Sequence, residues 1–235
     1  MSKIERPFDE ELILLKDKLL EMASRTEEQI GLAIRGLKDR KEEMACEVLD
    51  KEEGINRLDI EVDDMAMRLL ALRQPMATDL RFITSAMKIG SDLERIGDLA
   101  VNIAERTKDL LKQPELKPLI DSPRMADMSR AMVRDALTAF VNGDAVLARD
   151  VCNRDDQVDQ LNDQIFRELL TYMMQDPGTI ARAVDLILVG RHLERIADHA
   201  TNIGEDVIYM VQGRTIKHHV EEGRFSGLKG CDVDK

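Results

Sequence analysis

Tryptophan is absent from this sequence of 235 residues, and aromatic residues make up only 3% of it. Strands are enriched in aromatic and β-branched side chains, so this shortage disfavours a sheet-rich domain. The 13 methionines, more numerous than the five phenylalanines and two tyrosines together, suit helix packing. With 43% hydrophobic and 34% charged residues, the chain can bury a sizeable core. We therefore expect an all-α fold.

Long apolar runs are also missing from the chain. The longest, Leu186 to Val189, is far short of the roughly 20 residues that span a bilayer. The N-terminus carries both signs of charge and lacks the apolar core of a signal peptide, so a cytoplasmic location is expected. Cys46, Cys152 and Cys231 form no CxxC pair, which predicts free thiols in a reducing compartment.

Basic residues are outnumbered by acidic ones. The 34 lysines and arginines face 46 aspartates and glutamates, for a net charge of −12. Such a chain repels phosphate backbones and anionic headgroups, so neither nucleic acid nor a bilayer surface is an expected partner. Because the apolar runs are short, membrane insertion is not expected either. Cations and basic protein surfaces are the better candidates for partners.

The signatures of several common enzyme classes are absent as well. The sequence has no GxxxxGK[ST], GxGxxG, HExxH or GxSxG motif, so we predict that the protein is not an enzyme. It has no ExxH pair either, which excludes the usual ligand set of ferritin-like di-iron bundles.

What the sequence does contain is helical periodicity. Apolar residues recur in steps of three and four and predict helices over about 8–37, 42–72 and 78–112. Pro75 ends the second helix, and Thr78 is the expected N-cap of the third.

The second half repeats the first. Ser122 before Pro123 predicts the start of a fourth helix, and Asp176 before Pro177 predicts the start of a sixth. Between them, the apolar seam of the second helix recurs 103 residues later in the fifth: Val48, Ile55, Leu58 and Val62 against Val151, Val158, Leu161 and Ile165. We predict two tandem three-helix bundles.

The expected domain bounds follow from this repeat. The first three-helix unit covers residues 8–113 and the second covers residues 122–213. Residues 214–235 are rich in glycine and polar side chains and predict a flexible tail, to which we assign no function.

An acidic stripe recurs on the last helix of each unit. Glu94-Arg-Ile-x-Asp98 is answered 100 residues later by Glu194-Arg-Ile-x-Asp198. Residues four apart are neighbours on a helix, so each pair forms an oxygen-bearing stripe opposite the apolar seam, at or near the surface. On the neighbouring helices lie further polar groups at matching positions: Glu52, Asn56, Asp155 and Asp159.

Two interpretations of these stripes stay open. Exposed carboxylates at helical spacing usually serve only solubility. Like charges gathered on adjacent helices, however, would be relieved by a cation or a basic partner. All-oxygen ligands favour Mg²⁺, Mn²⁺, Ca²⁺ or oxidised iron. His192 and His199, which replace Asp92 and Leu99 of the first copy, are expected to be packed, hydrogen-bonded structural residues rather than ligands.

Four short motifs, in a fixed order along the chain, make the sequence resemble a known protein family. They are Arg-Gln-Pro-x-Ala-x-Asp-Leu-Arg at 73–81, Glu-Arg-Ile-Gly-Asp at 94–98, Thr-Tyr-Met-Met-x-Asp at 171–176 and Glu-Arg-Ile-Ala-Asp at 194–198. With them the chain resembles the PhoU family over about residues 8–213. The resemblance implies two like bundles whose E(D)xxxD motifs can hold multinuclear metal clusters, and a regulatory rather than catalytic activity.

The resemblance also implies partners and ligands. PhoU-like proteins act with the phosphate ABC transporter and the PhoR sensor kinase to keep the phosphate-starvation response off when phosphate is plentiful. A homodimer is the expected assembly. Asn56 departs from a fully acidic pattern, so the first site is expected to be the weaker. By matching position, the implied metal ligands are Glu52, Glu94 and Asp98 in the first half, and Asp155, Asp159, Glu194 and Asp198 in the second.

Two other functions remain open from the residues. A purely structural helical oligomer would need the acidic stripes only as solvated surface. A metal-dependent phosphatase would use clustered carboxylates to hold two metal ions for hydrolysis.

Overall fold

The computed structural model describes residues 7–214, and this part of the chain is all-α, as predicted. No strand occurs within these residues. The helices are α1 (Pro7–Lys38), α2 (Glu42–Arg73), α3 (Ala77–Leu111), α4 (Asp121–Asn142), α5 (Ala145–Gln175) and α6 (Ile180–Gln212), with one 3₁₀ turn (Pro177–Thr179) before α6.

The helices form two tandem three-helix bundles. Helices α1, α2 and α3 pack against one another, and α4, α5 and α6 do the same. The predicted architecture is therefore confirmed. Its cause is the apolar seams: Val48, Ile55 and Val62 of α2 and their counterparts on α5 are almost fully buried. Burying one such side chain contributes about 1.5–3 kcal/mol.

The two bundles share a long interface between α3 and α6, with α1 and α4 making a second contact. Arg81, at the start of α3, donates to the carbonyl of Met210 near the end of α6 at 3.0 Å. Arg106, near the end of α3, lies 3.5 Å from Asp185 near the start of α6. Helices α3 and α6 are therefore antiparallel.

The predicted helix starts are partly wrong. Helix α3 begins at Ala77 with Met76 in the cap position, so Thr78 lies inside the helix. Helix α4 begins at Asp121, which places Ser122 inside the helix and buries it. Asp176 caps the 3₁₀ turn rather than α6 itself: its carboxylate accepts from the backbone N–H of Gly178 at 2.9 Å, and α6 begins three residues after Pro177, at Ile180.

Three further expectations concern the cysteines, membrane spans and the C-terminal tail. Cys46 and Cys152 are free thiols, as predicted, whereas Cys231 lies outside the described residues. Within residues 7–214, no helix combines the length and the apolar character needed to cross a membrane. The predicted tail lies outside the described residues, apart from Arg214.

Candidate metal centres on two carboxylate faces

In the second half, α5 and α6 bring four predicted ligands onto one surface. This carboxylate face 2 consists of Asp155 and Asp159 on α5 with Glu194 and Asp198 on α6. Burial raises the pKa of Asp155 to about 6, and the charges of Asp198 and Asp159 add to the rise. Burial likewise raises the pKa of Asp159, with the charges of Glu194 and Asp198 as further causes. The carboxylates of the two helices therefore face one another.

One oxygen of carboxylate face 2 is left without a hydrogen bond. Asp155 Oδ1 is buried and has no hydrogen-bond partner within the described chain. The nearby Thr201 hydroxyl lowers the Asp155 pKa somewhat, yet it completes no hydrogen bond of normal geometry either. A buried, unpartnered carboxylate oxygen is costly unless it is protonated or meets a cation.

Glu194 is held in place by two neighbours. Asn162 donates from Nδ2 to Glu194 Oε2 at 2.9 Å, and Arg191 lies 2.5 Å from the same oxygen. The amide of Asn162 fits because Gly190 has no side chain: a Cβ there would lie 2.7 Å from Asn162 Oδ1. The position of the Asn162 amide beside Glu194 thus depends on this glycine.

In the first half, α2 and α3 form a matching surface, carboxylate face 1, from Glu52, Asp59, Glu94 and Asp98. Burial raises the pKa of Glu94, and the charges of Asp98, Asp59 and Glu52 raise it further against a lowering by Arg95. Burial also raises the pKa of Asp59. All three predicted ligands of this half therefore lie together.

Sequence reasoning missed Asp59. It stands 103 residues before Asn162, just as Asn56 stands 103 residues before Asp159, so acid and amide have exchanged places between the halves. Both faces thus carry four carboxylates, and the amide of Asn56 is no reason to expect a weaker first site. Asp59 lies two helical turns after Glu52, so the sequence already placed it on the same side of α2. Assigning it to the site, however, required knowing which turns of α2 lie beside Glu94.

The two faces suit a hard cation in charge and in ligand type, but not yet in geometry. Within residues 7–214, no three His, Cys, Asp or Glu side chains are arranged to hold a metal ion in their present rotamers. The side chains are half-buried or exposed, so their χ1 and χ2 angles have room to change rotamer. The unpartnered oxygen of Asp155 is the observation that fits a cation.

The histidines lie apart from both faces. His199 Nδ1 lies 2.8 Å from Asp92 Oδ1, and both residues are buried between α3 and α6. The predicted structural role of His199 is therefore confirmed. His192 differs, because its buried Nδ1 has no partner in the described chain. Burial lowers the pKa of His192, as do the charges of Arg195 and Arg106.

Two tandem three-helix bundles, each with four carboxylates on two adjacent helices, define a class of duplicated helical-bundle proteins. The PhoU domain family profile matches residues 19–107 and again residues 123–207. The chain therefore belongs to the PhoU family, as the motifs predicted.

Curated relatives and solved structures agree with this membership. A relative from Aquifex aeolicus (strain VF5), named phosphate-specific transport system accessory protein PhoU homolog, is 42% identical over 90% of this chain and 96% of its own length. One of the same name from Pseudomonas putida is 41% identical over 92% of this chain and 84% of its own. The crystal structure of PhoU from Pseudomonas aeruginosa matches with a TM-score of 0.85 and 40% identity, over 88% of this chain and all of that one.

Proposed function

We propose that this protein is an accessory and regulatory protein of phosphate transport. It acts in the cytoplasm as an adaptor between the ATPase of the phosphate ABC transporter and a PhoR-type sensor kinase, and it keeps the phosphate-starvation response off when phosphate is plentiful. The observation that carries the proposal is similarity over both halves: the named phosphate-transport relatives match about nine-tenths of the chain at about 40% identity.

The duplicated surface supports an adaptor role. An adaptor needs two docking regions, and the chain offers carboxylate faces 1 and 2 on separate bundles. Each face gathers four carboxylates on two adjacent helices. Burial raises the pKa values of Glu94 and Asp159, and repulsion from the neighbouring carboxylates raises them further. A basic surface of a partner protein relieves this repulsion and gains electrostatic complementarity.

A bound metal ion is the second way to relieve the same repulsion. Hard cations prefer oxygen ligands, and a cation here would supply positive charge that links the two helices of a face. Glu52, Asp59, Glu94 and Asp98 would hold it in the first half, and Asp155, Asp159, Glu194 and Asp198 in the second. The chain holds these oxygens in place on a rigid apolar core, so that charge neutralisation changes the surface a partner meets.

Deleting the gene in its host tests the regulatory role. A reporter driven by a phosphate-starvation promoter is measured in abundant phosphate, and we expect it to rise when the gene is missing and to fall again on complementation. A reporter that stays off in the deletion strain would refute the proposal.

Direct binding tests the adaptor mechanism. Purified protein is titrated against the kinase's cytoplasmic region and against the transporter ATPase, with and without Mn²⁺. We expect Asp98→Asn with Asp198→Asn to weaken at least one complex, because each change removes one carboxylate from a face. The matched control is Asp39→Asn with Asp64→Asn, which removes the same charge from exposed positions outside both faces. Equal weakening by both pairs would refute docking through the carboxylate faces.

A further inference from the structure

A cleft runs between α1 and α4, where the two bundles meet away from the α3–α6 interface. It has a volume of about 390 Å³, and its lining includes Arg35, Arg130 and Arg134. An adjoining cavity of about 220 Å³ shares Arg35 and Arg130 and adds Lys38 and Asp127. None of these residues belongs to carboxylate face 1 or 2. A chain of net charge −12 thus carries a basic cleft.

Two of the guanidinium groups meet over a glycine. A Cβ atom placed on Gly31 of α1 would lie 3.3 Å from Arg130 Cζ and 3.5 Å from Arg35 Nη1. Arg130 comes from α4 and Arg35 from the next turn of α1, so groups of like charge from both bundles converge on one point. Convergence of like charges is unfavourable unless a negative group lies between them.

The ion pairs that the protein forms with two of these guanidinium groups are long. The guanidinium of Arg130 lies 3.8 Å from Asp127, and Arg134 lies 3.8 Å from Asp135, both beyond hydrogen-bond distance. Arg130 Nε is buried without a hydrogen-bond partner in the described chain. Among residues 7–214, the guanidinium of Arg35 makes no ion pair.

The two glutamates of the cleft do not change this balance. Glu28 forms an ion pair with Lys51, whose Nζ lies 2.6 Å from its carboxylate. Glu27 lies near Arg134 and Arg130, whose charges lower its pKa, but burial raises that pKa by more. It forms no ion pair with either arginine within the described chain. The cleft therefore holds more positive than negative groups free to bind a ligand.

We propose that this cleft binds the phosphate group of a small molecule, with Arg35 and Arg130 as its main ligands and Arg134 at the rim. Guanidinium groups present forked donors that match oxyanions, and phosphate carries oxygens on all sides, so one phosphate can bridge arginines from two helices. A carboxylate offers only two oxygens in one plane. A phosphate held here also ties α1 to α4 and so stabilises the contact between the bundles.

The site is independent of the adaptor role and of metal binding, because it shares no residue with the carboxylate faces. It is tested by isothermal titration calorimetry on the full chain at about 0.15 M salt. The probes are inorganic phosphate, pyrophosphate, AMP and, as a carboxylate control, succinate. We expect one phosphate-bearing probe bound per chain. Pyrophosphate or AMP binding more tightly than phosphate identifies a phosphorylated metabolite as the ligand, and equal binding identifies inorganic phosphate.

Variants assign the binding to the cleft. Arg130→Gln and Arg35→Gln should each weaken binding by about tenfold, since each removes one forked, charge-assisted donor group. The control Arg57→Gln removes an exposed arginine of α2 that forms an ion pair with Glu53, outside the cleft, and it should leave binding unchanged. Arg35 is exposed, so replacing it should not affect folding. Its variant therefore still tests the site if Arg130→Gln lowers the melting temperature.

Three results would overturn the assignment. The first is that none of the three phosphate-bearing probes binds. The second is that both arginine variants bind as tightly as the wild type, and the third is that succinate binds as tightly as the best phosphate probe.

Discussion

Replacing Gly204 with alanine should destabilise the protein, although helix propensity alone predicts the reverse. Gly204 lies in the middle of α6, where glycine costs about 1 kcal/mol relative to alanine. Its Cβ, however, would lie 2.9 Å from the carbonyl oxygen of Ala148 and 3.1 Å from Cys152 Sγ, both on α5. A backbone carbonyl cannot turn aside, so α5 itself must move.

The magnitude follows from these two opposing effects. Overpacking of this kind costs typically 1–3 kcal/mol, and a backbone contact belongs at the upper end. Subtracting the gain in propensity leaves a net loss of about 2 kcal/mol in the free energy of unfolding. For a chain of this size, about 2–4 °C of melting temperature corresponds to each kcal/mol, so the midpoint should fall by about 4–8 °C.

Gly54→Ala is the matched control and should have the opposite sign. It is also a mid-helix glycine, and its Cβ would lie 2.7 Å from Arg25 Nη1. That atom is the tip of an exposed side chain, which can swing into solvent at the loss of one surface pair with Glu21. We expect a gain of about 0.5 kcal/mol.

The stability of both variants is measured by thermal and urea denaturation of the full chain at one pH, with circular dichroism as the readout. A Gly204→Ala protein that melts at or above the wild-type midpoint would refute the close approach of α5 to α6. A Gly54→Ala protein that loses as much stability as Gly204→Ala would show that the space around the glycine does not decide whether alanine stabilises or destabilises the protein.

Three other predictions concern charged groups. His199→Leu should lower the free energy of unfolding by about 3 kcal/mol, because it leaves the buried Asp92 unpaired. Adding Asp92→Leu should restore most of that loss in urea melts, and a double variant no more stable than the single one would contradict this. The Asp155 pKa is raised to about 6 in the folded state, so its penalty is absent below about pH 4 and grows as pH rises through 6. Asp155→Asn should therefore raise the chelator-treated protein's stability by about 1 kcal/mol at pH 7, after allowance for solvent screening, and leave it unchanged at pH 4; equal effects at both pH values would contradict the burial argument. Asp59→Asn should weaken Mn²⁺ binding by the first half in calorimetry, and the exposed control Asp64→Asn should not; equal loss in both would remove Asp59 from the site.

Much of the fold could be predicted from the sequence because helical periodicity is local. Val48, Ile55 and Val62 repeat at steps that only a helix places on one face, and the same steps put Glu94 and Asp98 on the opposite side. Helix starts were harder to predict. Several residues near Thr78 and Ser122 could cap, and a one-residue difference in where the chain turns decides among them.

Contacts between helices required the tertiary structure, because they depend on which turn of one helix lies beside which turn of another. His199 meets Asp92 only because α3 and α6 run antiparallel, and Asp59 joins Glu94 only through the register of α2 against α3. Arg35 and Arg130 are 95 positions apart in the sequence, and they converge only where α4 crosses the glycine of α1. A periodic pattern records which face of a helix is apolar, but the depth and register at which two helices pack arise from side-chain shapes along the whole interface.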